Sequence, residues 1–399
     1  MNVNIFHHDD VKRTVSVTRS VLNLIGVWPL PDNSSTLRII QTKMIRILSQ
    51  ALLYFIIVPS VLKMFLKESN ARRRMKMIGP ICSCSMAVLK HTLLIYRNDQ
   101  IKDCIEHIEK DWSKASLIGD RKIMINNSKI GRSLAIICVA FVYGSGFSFR
   151  TIMPLSRGVI VTPQNVTIRP MGFDGYYVFV DSQKTPAYEI IFSLQFLSGF
   201  VHSATSGAYS LAILLVLHAC GQLKILMTRM EDLTEAKYFS DKYANEKLAA
   251  VVKQHIRIKS FLSKVEEILQ YICLVEVVGC TFILCLLGYY IIMEWESNDA
   301  VSILIYAMLF LTFIFNIFVL CFVGEILMDQ STKMYITFCT FDWYRIPHKT
   351  ARGLVLIISM SSIPSKITAG KFMDLSLNSF SAIMRTSVAY LNILRTISI

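Results

Sequence analysis

The last helix predicted in this sequence carries residues whose types and spacing suit ion conduction. A helix over residues 371–397 would be about 40 Å long, enough to cross a bilayer. It holds too many Ser, Thr and Asn residues for a lipid-facing anchor, because polar groups in hydrocarbon need partners or water. Thr386, Tyr390, Ile393 and Ile397 recur at spacings of three and four and therefore share one face. This face predicts a water-filled path closed by two isoleucines; the alternative is a mildly polar helix buried against its neighbours.

Two histidines and one acidic residue lie inside apolar runs. His202 and His218 occupy the same run. Each is interpreted either as a neutral histidine bonded within a helix bundle or, for His202, as a donor to a bound carbonyl group. Glu276 must pair, protonate or face water, and we expect an inward structural pair. Paired carboxylates, a nucleophile elbow, a phosphate loop and metal-ligand spacing do not occur in the sequence, so an enzyme is the least favoured class.

The composition indicates a membrane protein. The chain has 399 residues, 53% hydrophobic and 18% charged, with a mean hydropathy of +0.47, whereas soluble domains carry about 25% charged residues. The net charge of +14 is compatible with nucleic-acid binding, but basic cytoplasmic loops explain it more simply. We therefore expect no nucleic-acid partner and contact with membrane lipid.

Seven apolar runs approach the length of a membrane span. They predict an all-α membrane protein with seven transmembrane helices, at residues 44–66, 75–96, 133–153, 190–223, 268–293, 300–324 and 371–397. The fourth run is longer than a bilayer requires, so this helix should tilt or project from the membrane.

The distribution of Lys and Arg gives the orientation. These residues concentrate before the first span and between spans two and three, four and five, and six and seven. The positive-inside rule then places the N-terminus in the cytoplasm and the C-terminus outside. Of the sequons at Asn33, Asn126 and Asn165, only Asn165 would face the lumen during synthesis, and it is the candidate glycosylation site. This orientation is opposite to that of G-protein-coupled receptors.

The cytoplasmic segments also carry helical patterns. Ile258, Phe261, Leu262 and Val265 recur at helical spacing, so the fifth helix should begin well before the membrane. The fourth should continue past residue 223, and the short apolar run 354–360 should form a cytoplasmic helix against the extensions of helices four, five and six. The chain is thereby divided into an N-terminal cytoplasmic segment (1–43), six spans with their extensions (44–328), a cytoplasmic helical region (329–370) and the terminal helix (371–399).

The C-terminal region resembles the insect odorant receptors. The similarity is carried by an ordered set of motifs: FCTFDWY at 338–344, Pro347, Pro364, TAGKF at 368–372, Leu375, Ser376, Phe380, Thr386, Ser387, Tyr390 and Leu391. A weaker similarity is GVWP at 26–29. The strong part covers about the last sixty residues, and the length and the predicted topology agree over the rest.

The resemblance implies an odorant-gated, non-selective cation channel. Four subunits would assemble through the cytoplasmic anchor, a tuning subunit with the shared coreceptor called Orco, without need of a G protein. The last helix would line the pore, with Ile393 and Ile397 at a hydrophobic gate beside Asn392. The cellular location implied by the resemblance is the plasma membrane, in the dendrite of an olfactory sensory neuron. No cofactor is implied.

The resemblance also places a pocket for a small volatile or pheromone-like ligand among the outer halves of spans two to six. Such a pocket should be mostly apolar with one or two orienting groups. The candidate lining residues are Met86, Phe141, Ser145, Phe147, Ser148, Phe192, Phe196, Phe200, His202, Tyr289, Tyr290 and Tyr306. The alternatives are a related gustatory-type receptor channel with more polar ligands, or a secondary transporter, for which internal repeats and more mid-membrane charges would be expected.

Overall fold

The chain folds into a bundle of long helices. The computed structural model describes residues 3–115, 117–158, 160–161, 167–235, 241–345 and 348–398. The helices in this part are α1 Val3–Leu24, α2 Thr36–Leu66, α3 Ala71–Tyr96, α4 Asn98–Lys114, α5 Ile118–Phe147, α6 Met153–Arg157, α7 Ala187–Ala204, α8 Gly207–Glu235, α9 Asp241–Ser297, α10 Ala300–Cys339, α11 His348–Ser361 and α12 Leu377–Ser398. A π-helical turn, Ser148–Ile152, joins α5 to α6, and a short 3-10 helix, Trp343–Arg345, precedes α11.

Two small antiparallel hairpins complete the described structure. Strands β1 (Ile160–Val161) and β2 (Thr167–Ile168) pair in the connection between α6 and α7, with Ile160 opposite Ile168. Strands β3 (Thr368–Ala369) and β4 (Met373–Asp374) pair just before α12. The predicted all-α membrane fold is thus confirmed, with strands confined to these turns.

Six helical stretches are long and apolar enough to cross a membrane: Thr36–Leu66, Ala71–Tyr96, Ile118–Arg157, Ala187–Asp232, Lys242–Glu296 and Ala300–Cys339. They contain the first six predicted spans. The last helix, α12, has 22 residues and is about 33 Å long, but it is more polar than these six. Its length suits a span, and its polarity requires a protein or water surface instead of lipid.

The structure corrects three boundaries. The fourth run is not one tilted helix, because the chain breaks at Thr205 and Ser206 between α7 and α8, where the Thr205 hydroxyl caps the carbonyl of His202 at 2.7 Å. The third helix begins at residue 118 and continues through the π turn to residue 157. The terminal helix begins at Leu377 instead of residue 371, because Gly370 and Lys371 have positive φ angles that make the β3–β4 turn and exclude a helix there.

The cytoplasmic extensions follow the sequence prediction. Helix α8 runs past residue 223 to Glu235, and α9 begins at Asp241 and continues for 57 residues. The predicted short helix is α11, which buries Leu354 and Ile357 against α9 and α10. The Thr350 hydroxyl bonds to the side-chain oxygen of Asn245 on α9 at 2.6 Å. These contacts join α11 to the extensions of α9 and α10, and α8 packs against the same two helices.

A buried polar cluster ties α4 to α8 and α9. Asp111 accepts a hydrogen bond from His218 on α8 at 3.1 Å, lies 3.3 Å from His107, and forms an ion pair with Arg257 on α9. Burial alone raises the pKa of Asp111, but the hydrogen bonds with His107 and His218 hold it well below its usual range. The arrangement agrees with the structural interpretation of His218 as a histidine bonded within the bundle.

Candidate functional site

A cavity lies between α3, α5, α7, α8, α9 and α10, in the half of the bundle that the sequence predicts to be outer. Its volume is about 90 Å³, several times the roughly 10–15 Å³ that one water molecule requires. Phe149, Phe313 and Leu287 are among its mostly apolar lining residues. Phe173 enters from the connection before α7, where its backbone exchanges two hydrogen bonds with the Gln195 side chain, at 3.2 and 2.8 Å. Small-molecule sites have this combination of apolar walls and few polar groups.

The cavity brings together five of the predicted ligand-binding residues. They are Met86 on α3, Ser145 on α5, His202 on α7, Tyr290 on α9 and Tyr306 on α10. The two tyrosine rings contact each other, with centroids 5.4 Å apart. The Tyr290 hydroxyl is already engaged, because it donates to the carbonyl of Met75 at 2.6 Å. Their part in ligand binding remains a prediction.

The other aromatic candidates lie elsewhere. Phe147, Phe196 and Phe200 line a smaller cavity of about 30 Å³ between α5 and α7, and Phe196 meets Phe200 edge to face at 5.1 Å between centroids. Phe141 stacks on Phe315 of α10 at 5.0 Å. These four rings pack against neighbouring side chains and do not line the first cavity, which is called the large cavity below.

The three remaining candidates also lie outside the lining of the large cavity. Phe192 stacks on Tyr188 one turn earlier, with ring centroids 6.0 Å apart. Ser148 is buried and donates to the carbonyl of Gly144 at 2.9 Å. Tyr289 is buried next to Tyr290 but faces another side of α9. No observation tests whether a ligand reaches these residues, which stay predictions.

His202 is held by α3. Its Nε2 lies 3.0 Å from the Ser83 hydroxyl and 3.3 Å from the Ser83 carbonyl, which fits the interpretation of a histidine bonded within the bundle. Its Nδ1 is buried and has no hydrogen-bond partner within the part of the chain that the structure describes. The His202 ring is therefore held in place through Nε2, while its Nδ1 is left without a hydrogen bond beside the cavity.

An ion pair lies at one end of the cavity. Lys90 on α3 and Glu276 on α9 are both buried, with 2.5 Å between Nζ and Oε1. The hydroxyl of Tyr209 donates to the other carboxylate oxygen at 2.5 Å, and Lys90 lies 5.1 Å from the centre of the Tyr209 ring. The inward pair expected for Glu276 is present, and Lys90 also lines the cavity.

Sequence reasoning missed Arg150, which lines both the large and the small cavity. It lies in the π-helical turn after α5 and is only 7% exposed. Its signal was available, because an arginine inside an apolar run predicts a functional or paired site by default. Phe173 and Asn316 also line the large cavity, but nothing in the sequence indicates this. Their positions depend on the fold of a loop and on the rotation of α10.

The terminal helix packs one side on α9 and α10 and leaves another side open. Ile383 and Ser387 are buried, and Ser387 donates to the carbonyl of Thr281 on α9 at 3.1 Å. The predicted pore residues Tyr390 and Ile393 are 49% and 55% exposed in the single chain. Thr386 and Asn392 lie on the less buried part of the same helix. The Ile397 side chain and the candidate glycosylation site Asn165 fall outside the described residues.

A family model described as 7tm odorant receptor matches residues 72–388 of this chain. The chain belongs to the odorant receptor family. Odorant receptor 10 of Aedes albopictus is 24% identical over 316 residues, which cover 78% of this chain and 81% of that protein. Odorant receptor 13a of Drosophila melanogaster is 28% identical over 197 residues, 46% of each chain. The resemblance read from the C-terminal motifs is thereby confirmed.

The fold of this odorant receptor is also similar to a solved one. The structure of the insect olfactory receptor OR5 from Machilis hrabei in complex with eugenol superposes with a TM-score of 0.82, at 14% identity, over 98% of this chain and 99% of that one. The helices that surround the cavity therefore belong to a shared membrane fold. Groups of three or more metal-binding side chains do not occur among the described residues.

Proposed function

We propose that this chain is the odorant-binding subunit of a ligand-gated, non-selective cation channel. One observation carries the proposal: α12 packs against α9 and α10, two of the helices that line the cavity. A small, mostly apolar volatile or pheromone-like compound would bind in the cavity, and α12 would line the pore. The family membership supports an odorant as the ligand, since the similar proteins of Aedes albopictus and Drosophila melanogaster are named odorant receptors.

Two contacts couple the cavity to α12 through α9. Ile283, Leu287 and Tyr290 of α9 line the cavity. On the other side of the same helix, a side chain on Gly288 would place its Cβ only 2.9 Å from Cδ2 of Leu391 on α12. A shift of α9 towards or away from a ligand therefore moves the surface against which α12 packs, because packed helices move as units.

In this proposal the channel opens by a shift in population between a closed and an open arrangement. Ligand binding favours an arrangement in which α12 moves outward and the constriction at Ile393 and Ile397 widens and becomes wet. Thr386, Tyr390 and Asn392 would line the path on either side. The ligand opens the channel only to the extent that it binds the open arrangement more tightly than the closed one.

Assembly would use the cytoplasmic helices. Trp343, Tyr344, Val355 and Leu356 are each at least 60% exposed in the single chain, and contiguous exposed apolar side chains mark protein interfaces. We propose that this patch meets neighbouring subunits in a heterotetramer with the coreceptor Orco. The site of action would be the plasma membrane of an olfactory dendrite, without participation of a G protein.

The test is whole-cell current in cells that express this chain alone, the coreceptor alone, or both, during application of a panel of volatile compounds. Inward cation current confined to the paired cells is the expected result. Ligand-evoked uptake without channel current would favour a transporter instead. Silence in paired cells with confirmed surface expression, across both neutral and acidic compounds, would count against the channel.

A further inference from the structure

Arg150 is a buried guanidinium between two cavities. It lies in the π-helical turn Ser148–Ile152, is 7% exposed, and lines both the large cavity and the smaller one between α5 and α7. Its stem lies over Gly199 on α7, where any Cβ would come within 2.7 Å of its Cδ. The fold therefore leaves a dedicated space for this side chain, in a helical distortion of the kind found at functional sites.

The charge of Arg150 is not compensated by a carboxylate from the described residues. Its Nε is buried and has no hydrogen-bond partner in the described part of the chain, and its Nη1 donates to the carbonyl of Gly146 at a long 3.3 Å. The guanidinium lies 5.2 Å from the centre of the Phe173 ring. Its titratable neighbours include the Cys84 thiol and the His202 imidazole. Neither supplies a negative charge at pH 7, because an ordinary thiol is neutral there and an imidazole is neutral or cationic. A ring and a carbonyl replace little of the hydration that burial removes.

Other basic side chains in this half of the bundle have acidic partners. Lys90 pairs with Glu276 at 2.5 Å, and Lys76 pairs with Glu294 at 2.6 Å. Arg157, only seven residues after Arg150, lies 3.7 Å from both Glu294 and Asp299 and donates to the Ser302 hydroxyl at 3.0 Å. Each of these three basic side chains is thus paired with an acid, whereas Arg150 at the cavity wall has no acidic partner among the described residues.

The cavity is electropositive as a result. Among the described residues that line it, Lys90, Arg150 and His202 are basic and none is acidic. The charge of Lys90 is already balanced by Glu276, which leaves the guanidinium as the unsatisfied cation. Around it the lining is aromatic and aliphatic, with Phe149, Phe173 and Phe313 among the walls. A ligand that fits both features is small, mostly apolar and carries one anionic group.

We propose that Arg150 binds the carboxylate of a small apolar organic acid in this cavity. The proposal rests on the proposed function, since it names the ligand class of the same site. The guanidinium presents parallel N–H donors that match the two oxygens of a carboxylate, and the unpartnered Nε belongs to that donor set. The hydrocarbon part of the acid would lie against the aromatic walls, while the charge pair replaces the missing internal partner.

The test measures binding directly, without channel current. Full-length chain in lipid nanodiscs is titrated at about pH 7, where carboxylic acids are ionised, with hexanoate, benzoate and phenylacetate and with the methyl ester of each. Binding is read from ligand-induced stabilisation against heat, because a ligand that binds only the folded state raises the unfolding temperature. We expect at least one acid to bind about tenfold or more tightly than its ester, since hydrogen bonds between charged groups are stronger than those to a neutral ester.

Three variants assign the effect to the guanidinium. Arg150→Gln should remove the preference for acid over ester, and Arg150→Lys should keep a weaker preference, because it retains the charge but loses the planar fork. Arg157→Gln removes a cation seven residues away that lies outside the cavity lining, and it should leave the preference unchanged. If Arg150→Gln fails to fold, the parent ratio together with that of Arg150→Lys still decides the proposal.

Several results would overturn the proposal: esters that bind as tightly as acids, absence of binding by every acid in the panel, or an unchanged preference in Arg150→Gln. These outcomes differ from failure of the proposed function. A channel that opens to neutral odorants but ignores acids would keep the receptor function and reject the role of Arg150. Acid binding to a chain that conducts no current with the coreceptor would keep the binding site and reject the channel.

Discussion

Breaking the buried pair between Lys90 and Glu276 should destabilise the fold strongly, and removing both charges should restore much of the loss. The perturbations are Lys90→Met, Glu276→Leu and the double variant. The two side chains are 8% and 0% exposed, with 2.5 Å between Nζ and Oε1. At an effective dielectric constant of about 20 their attraction is about 7 kcal/mol, and desolvation of both ions offsets much of it.

The single variants cost more than the net contribution of the pair, because each leaves one buried charge without its partner. Breaking a buried pair in this way costs about 3–5 kcal/mol. Glu276→Leu also removes the carboxylate that accepts the Tyr209 hydroxyl at 2.5 Å, a buried hydrogen bond that Lys90→Met keeps. The larger loss is therefore expected for Glu276→Leu. The double variant, with apolar groups on both sides, should lose about 2 kcal/mol or less.

The assay is thermal unfolding of the four purified proteins in the same detergent, analysed as a double-mutant cycle. A coupling energy of about 2 kcal/mol or more is expected. The control cycle is Lys333 and Asp329 on α10, a pair 2.8 Å apart whose side chains are more than half exposed, for which coupling below about 1 kcal/mol is expected. Additive losses at Lys90 and Glu276 would refute the reasoning, since they would show that the two charges do not depend on each other.

Three further perturbations probe other parts of the molecule. Ile393→Ser should raise ligand-free current several-fold by wetting the proposed gate, whereas Val388→Ser, exposed on another side of α12, should not; an unchanged baseline in a well-expressed Ile393 variant contradicts the assignment. Gly288→Val should press on Leu391, destabilise the chain by about 1–3 kcal/mol and alter ligand sensitivity in current recordings; parent-like behaviour would argue against this coupling contact. Asp111→Asn should cost about 2 kcal/mol of unfolding free energy at neutral pH. Because folding lowers the pKa of Asp111, its contribution is present above the unfolded pKa of about 3.9 and is lost as pH falls through the folded value, so the deficit of the variant should persist from neutral pH to about pH 5 and shrink only in strong acid.

Several features of this receptor were readable from the sequence because they belong to single segments. The apolar runs predicted the six apolar spans, and the pattern through Ile258 and Val265 predicted the extension of α9. The apolar run 354–360 predicted α11. The ordered motifs near the C-terminus indicated the family that the comparison of residues 72–388 shows. Run length, periodicity and short motifs are local quantities, so no knowledge of neighbouring helices was needed.

Prediction from single segments failed at helix boundaries that depend on contacts between two segments. The break at Thr205 and Ser206 has no proline or charge to signal it, and it forms where α7 and α8 bend within the bundle. The start of α12 at Leu377 depends on the hairpin before it, in which Gly370 and Lys371 adopt positive φ. The hydrophobic pattern of the sequence continues through both positions, so it predicts neither the helix break nor the later helix start.

The candidate site shows the same division. The sequence alone determined which spans carry aromatic and polar residues, and the family resemblance suggested a pocket among spans two to six. Five of the twelve proposed residues line the cavity, while Phe141 and Phe192 stack on neighbouring rings. Only the tertiary structure decided that Glu276 meets Lys90 and that Arg150 lies between two cavities without an acidic partner from the residues that the structure describes. Helical spacing fixes which residues share a face, whereas the rotation of each helix against its neighbours fixes what that face meets.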